Sequence, residues 1–186
     1  MNYPGGNNKN YTKAVNYGNR GMNLEELLND TNAYYLEKNK AVIYKKPTPI
    51  QITESKIIKG KLRITDAFFK TPSTLDYNGL YRGKYVDFDA KETKNSTSFP
   101  LNNIHEHQLK HIEKVIEHGG IAFLIISMNG LYYYLDGHDI INFIKNNERK
   151  SIPYNFIKES GYEIKLKLAP KLDYLKVIDL LYFKES

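Results

Sequence analysis

The residues best suited to chemistry lie between Asp76 and Lys91. Asp76-Tyr77-Asn78-Gly79 reads as a turn opening a strand, Arg82-Gly83 as a tight connection, and the residues to Lys91 as a second strand. On that second strand Tyr85, Asp87, Asp89 and Lys91 share one face, because strand side chains alternate. Val86, Phe88 and Ala90 share the other face and are apolar. Paired carboxylates beside a lysine, with Asp76 just upstream, suit metal-dependent phosphodiester hydrolysis. Their oxygens hold a hard divalent cation, the cation makes water nucleophilic, and the lysine orients that water or neutralises charge building on phosphorus. A solvated sheet face with alternating charge has the same pattern, and Asp, Asn and Gly are ordinary turn residues. The stretch alone therefore does not decide; the elements that position it must.

With 186 residues the chain is long enough for one domain with a sizeable core. Lys plus Arg outnumber Asp plus Glu by 27 to 21, for a formal charge of +6, and there are 16 Tyr residues. A basic, tyrosine-rich surface favours a polyanionic partner, because Lys and Arg displace counterions from phosphates. The chain has no Cys, which excludes a disulfide framework and thiolate metal sites and fits a cytoplasmic protein. No apolar run is long enough to span a bilayer, and the polar N-terminus is no signal peptide, so no membrane association is expected.

Residues 1–19 are rich in Asn, Gly, Tyr and Lys and read as a flexible basic arm. Residues 20–186 then read as a single domain. Asn23 is the expected N-cap of a first helix, with Glu25 and Glu26 in its first turn and Leu24, Leu27, Leu28 and Tyr35 on its apolar stripe to about Lys38. A short strand, Ala41–Tyr44, ends at Lys45-Lys46-Pro47-Thr48-Pro49, and Ile50–Thr53 is a further extended piece. Ser55 to Lys70 is basic and ends on Phe68-Phe69, which on a strand face opposite ways, one toward a core and one outward. The segment suits a projecting hairpin or an ordinary sheet edge.

Asn102 or Asn103 is the expected cap of a helix from about Ile104 to His118, closed by Gly119-Gly120. Ile121–Ser127 reads as a fully buried strand, and Asn129-Gly130 as a hairpin turn leading back through Leu131–Leu135. A helix over Gly137–Asn147, a short helix near Pro153, an extended Gly161–Leu168 and a last helix over Tyr174–Phe183 complete the chain. This order predicts an α/β fold with a mixed central sheet flanked by helices. His105, His107, His111 and His118 fall on one helix. His107 and His111 have the spacing for one zinc ion, yet no third ligand stands nearby, so polar residues near phosphate is the better reading.

Several motifs, in order, resemble a known family. They are Asn19-Arg20-Gly21-Met22, Lys46-Pro47-Thr48-Pro49, Phe69 through Gly79, Ala90-Lys91-Glu92-Thr93-Lys94-Asn95, Phe99-Pro100-Leu101, His105-x-His107-Gln108 and Leu172-Asp173-Tyr174-Leu175-Lys176. Together they look like the RecU-type Holliday-junction resolvases, and the match covers nearly everything after Asn19. The resemblance implies a restriction-endonuclease-like core with an inserted stalk hairpin at about residues 55–72. It further implies a homodimer that makes paired symmetric nicks in four-way DNA junctions during recombination and repair, with Mg²⁺ or Mn²⁺ as cofactor and a recombinase or branch-migration machinery as further partner. Carried over by motif, Asp76 and Asp89 are metal-binding carboxylates, Lys91 is the catalytic lysine, and Glu25 is an extra acidic residue directed at the site. Thr74 and Gln108 contribute to the metal site. In the stalk Lys59, Lys61, Arg63, Phe68, Phe69 and Lys70 are the expected DNA contacts, joined by Arg20 and Lys94.

One departure stands out. The family pattern has Glu where this chain has Asp89, one methylene shorter. Asp87 shares the face at about 6–7 Å along the strand, and partial substitution by it is one expectation. The rival reading is a junction-binding recombination scaffold with weak or lost cleavage.

Overall fold

The computed structural model describes residues 22–70 and 74–183. The expected arm over residues 1–19 and Arg20 lie outside them. In chain order the elements are α1 (Leu24–Glu37), β1 (Val42–Lys45), β2 (Ile50–Ile58), β3 (Lys61–Phe69), β4 (Tyr77–Tyr81), β5 (Lys84–Glu92) and β6 (Ser98–Pro100). A 3-10 turn (Leu101–Asn103) leads to α2 (Glu106–Glu117), β7 (Ile121–Met128), β8 (Leu131–Asp136) and α3 (Gly137–Asn146). Last come β9 (Ser151–Pro153), α4 (Tyr154–Ser160), β10 (Tyr162–Glu163) and α5 (Leu175–Tyr182).

The main sheet has six strands in the order β1-β4-β5-β7-β8-β10. The β5–β7 pair is parallel and the other neighbours are antiparallel, so the sheet is mixed as predicted. Three two-residue turns, at Lys59-Gly60, Arg82-Gly83 and Asn129-Gly130, have positive φ at both positions, the twist that matches paired strands.

One face of the sheet packs under α1 and α5, and the other under α2, α3 and α4. On the first face an aromatic ladder crosses four strands, with ring centroids 4.7 Å apart from Tyr77 to Phe88, 4.7 Å from Phe88 to Phe123 and 4.2 Å from Phe123 to Tyr134. On the second, Leu124 and Ile126 of β7 pack with Ile112 of α2 and Ile140 of α3. Strand β7 is thus buried on both sides, which is why its sequence is an unbroken apolar run.

The first helix starts where its cap signal places it. Asn23 Oδ1 accepts from Glu26 N at 2.8 Å, and the Glu26 carboxylate accepts from Asn23 N at 3.3 Å. The second helix does not start at Asn102 or Asn103. Those residues belong to the 3-10 turn, Ile104 is extended, and His105 is the N-cap. There the Gln108 side chain folds back to accept from His105 N at 3.1 Å. Gly161–Leu168 is strand only at Tyr162–Glu163; beyond it Leu166 bridges back to Leu172.

The basic segment forms its own two-stranded sheet, β2–β3, running from Ile50 to Phe69. The extended Ile50–Thr53 is its lower end. Phe68 and Phe69 are 55% and 78% exposed, so both face solvent. Among the described residues no sheet layer lies on either side of the ribbon, so the alternation that would bury one of the two has nothing to act against.

Candidate active site

Strand β5 carries the site. Its buried flanks, Val86 and Phe88, fix its register in the core, and its other face turns Asp87 and Asp89, both with no exposed surface, toward α2. Asp89 Oδ2 lies 2.8 Å from Lys91 Nζ and accepts from Gln108 Nε2 at 2.6 Å. Asp89 Oδ1 accepts from Ala90 N at 2.9 Å. Lys91 also donates to Gln108 Oε1 at 3.3 Å. Gln108 therefore meets the Asp89 carboxylate, and it presents its nitrogen there. Its oxygen serves Lys91 and the helix cap.

Asp76 stands at the mouth of β4, half-buried, with its backbone carbonyl held by Lys46 N at 2.7 Å. Burial pushes its carboxyl above the usual carboxylate range, the neighbouring Asp89 pushes it further, and Lys91 and Lys45 partly oppose this. With Asp89 beside it, Asp76 completes a donor set that a hard cation would relieve. All their ligating atoms are oxygen, which suits Mg²⁺ or Mn²⁺. Among the described residues no three His, Asp or Glu side chains converge as a ready cage.

Glu25 lies across a cleft of about 260 Å³ whose walls include Asp76, Ala90 and Glu92. It is paired with Lys45 at 2.5 Å and is half exposed. Glu92, which sequence reasoning passed over, accepts from Leu24 N at 2.7 Å and so ties the start of α1 to the end of β5. A second cleft of about 400 Å³ runs from Lys45–Pro49 to Thr74, Leu75 and Asp76. Thr74 borders it, its hydroxyl 3.4 Å from Leu75 O.

Asp87 does not take the place of Asp89. Its carboxylate accepts from Lys46 Nζ at 3.0 Å and Tyr85 OH at 2.7 Å, and lies 2.8 Å from His111 Nε2. Burial and that bond to Asp87 push the Tyr85 phenol up to about 12. His107 stacks on His105, centroids 5.4 Å apart, while His111 meets Asp87, so the two meet different neighbours.

The expected DNA contacts Lys59, Lys61, Arg63, Phe68, Phe69 and Lys70 are all exposed on the β2–β3 ribbon or at its end, and Lys94 is exposed beyond β5. Lys61 pairs with Ile58 and Arg63 with Lys56 across the ribbon, which with Lys59 of the turn gathers four cations near its tip.

The chain matches the family described as Recombination protein U over residues 19–180. It is 49% identical over 195 residues to the Holliday junction resolvase RecU of Geobacillus sp. (strain WCH70), covering 97% of each chain. Against the Holliday junction resolvase RecU of Bacillus subtilis (strain 168) it is 48% identical over 178 residues, covering 94% of this chain and 86% of the relative. A solved structure of Archaeoglobus fulgidus Hjc, a Holliday junction resolvase from an archaeal hyperthermophile, overlaps 69% of this chain and 86% of its own with a TM-score of 0.39 at 10% identity.

Proposed function

The chain belongs to the Recombination protein U family, and from that membership we propose that it is an endodeoxyribonuclease that resolves Holliday junctions. The observation that carries the reading is that Asp76 and Asp89 stand beside each other with Lys91 against them, its Nζ 2.8 Å from Asp89. In this reading the protein is a homodimer that makes two symmetric nicks, and Mg²⁺ or Mn²⁺ is its cofactor.

Asp76 and Asp89 would hold the ion, with Glu25 across the cleft. When bound, the ion supplies Lewis-acid activation of water and of the leaving 3′ oxygen. Gln108 keeps the Asp89 carboxylate aimed from above. The Lys91 ammonium stands beside that carboxylate, where it neutralises charge that builds on the phosphoryl oxygens. Water attacks phosphorus in line, a new P–O bond forms as the P–O3′ bond breaks, and the 3′ oxygen takes up a proton. The β2–β3 ribbon supplies the cations and exposed aromatic rings for a junction recognised by shape more than by base edges.

The test is cleavage of a synthetic mobile four-way junction beside a linear duplex of the same sequence, in Mg²⁺ and in Mn²⁺, with Lys91→Ala as control. Paired nicks in the junction alone, lost in Lys91→Ala, are expected. Tight junction binding without nicks in either metal would overturn the nuclease reading and leave a junction-binding scaffold.

A further inference from the structure

We infer that Asp87 is a positioning residue, the buried hub that holds the segments bearing Asp76 and Gln108 in register with Asp89. The inference rests on the metal-site reading above. Asp87 has no exposed surface, yet its carboxylate is met by donors from two elements besides its own strand. Lys46, at the end of β1, donates to both oxygens at 3.0 and 3.2 Å, and the same residue's backbone N–H holds the Asp76 carbonyl at 2.7 Å. His111 of α2 meets Asp87 at 2.8 Å, one turn beyond Gln108, which meets Asp89 at 2.6 Å.

Two rungs, Asp87–His111 and Asp89–Gln108, therefore set both the height and the rotation of α2 over β5. A third tie through Lys46 sets where Asp76 enters. Tyr85 closes the remaining side, and Asn78 Nδ2 in turn stands 3.4 Å from the Tyr85 hydroxyl. The charge itself argues for this role. Exchanging a buried ion pair for packed apolar side chains is often neutral or stabilising, so a fully buried carboxylate here is weak as a source of stability. What an apolar cluster would not provide is directional bonding that fixes three backbones to one point. Outer partners of metal-ligating side chains act in this way, and their loss weakens metal binding about 10–100-fold.

The test is Mn²⁺ binding to the full-length protein without DNA, read by the paramagnetic resonance signal of free Mn²⁺, with folding followed by circular dichroism. Asp87→Asn keeps the shape and removes the charge. Lys46→Met keeps the stem and removes the tie, and it decides the matter if Asp87→Asn fails to fold. Asp76→Asn is the control for the metal site. The expected result is a loss of Mn²⁺ affinity of about 10–100-fold in Asp87→Asn and Lys46→Met with native dichroism, and no binding in Asp76→Asn. A folded Asp87→Asn with wild-type affinity, even with a lower melting temperature, beside an Asp76→Asn that binds no Mn²⁺ would overturn this inference alone. Wild-type protein that binds no Mn²⁺, or an Asp76→Asn variant that binds it as well as wild type, would overturn the metal-site reading and this inference with it.

Discussion

Replacing Asp76 by Asn should make the metal-free protein more stable. Burial and the neighbouring Asp89 hold the Asp76 carboxyl above its ordinary value of 3.8, with Lys91 and Lys45 opposing. The native state therefore binds that proton more tightly than the unfolded chain does. Stability falls as pH rises from the unfolded carboxyl's range through the raised native value, and the penalty is complete above it. Asparagine carries no such penalty. The group is only partly buried, so screening trims the electrostatic gain, and we expect about 1 kcal/mol. In a chain of this size that is a rise of about 2–4 °C in Tm. The assay is thermal melting in EDTA at about pH 7.5 and again near pH 4, where the difference between the two proteins should shrink. Mn²⁺ at about 100 times its Kd should then stabilise the wild type by about 2.7 kcal/mol and leave Asp76→Asn unmoved. A variant that melts below wild type in EDTA at neutral pH, or that keeps the Mn²⁺ shift, would refute the reasoning.

Three other perturbations probe separate parts of the molecule. Lys61→Ala and Arg63→Ala should each lower the slope of log junction affinity against log salt by about one, and an unchanged slope would remove the ribbon from the DNA interface. Gly79→Ala should cost about 3 kcal/mol or more, because its Cβ would sit 2.0 Å from Val42 O and 2.6 Å from Ile43 Cα; denaturant unfolding would measure it. Asp89→Glu adds a methylene at a site with no exposed surface and with Gln108 Nε2 at 2.6 Å. It should lower metal-free stability by about 1–3 kcal/mol while raising Mn²⁺ affinity, the two read together by melting in EDTA and by metal titration.

Local signals were legible in the sequence wherever a neighbour in sequence is also the neighbour in space. The Asn23 cap, the Asn129-Gly130 turn and the apolar run of β7 stand where composition and spacing put them. The N-cap of α2 was not legible, because Leu101–Asn103 first makes a 3-10 turn and the cap depends on the Gln108 side chain folding back. Nor was the full length of the β2–β3 ribbon, where Ile50 pairs with Phe69, nineteen positions further along the chain, with two register shifts between. Alternation along a strand tells which side chains share a face and says nothing of whether that face is covered, as the exposed Phe68 and Phe69 show.

The sharpest limit lies in Asp87 and Asp89. They are two apart on one strand, share a face and are equally buried, so period-two reasoning treats them alike. Their roles diverge through residues far away in sequence. Lys46 comes to Asp87 from 41 positions upstream and His111 from 24 downstream, while Gln108 comes to Asp89 from 19 downstream. Lys45 and Lys46 divide in the same way. Adjacent on an extended segment, they point to opposite faces, Lys45 to Glu25 of α1 and Lys46 to Asp87 of β5. The doubled lysine thus ties the helix bearing Glu25 on one side, and the strand bearing Asp89 and the carbonyl of Asp76 on the other, to the end of β1. The short carboxylate at position 89 is then a question of reach from a fixed frame, and the frame is set by Asp87.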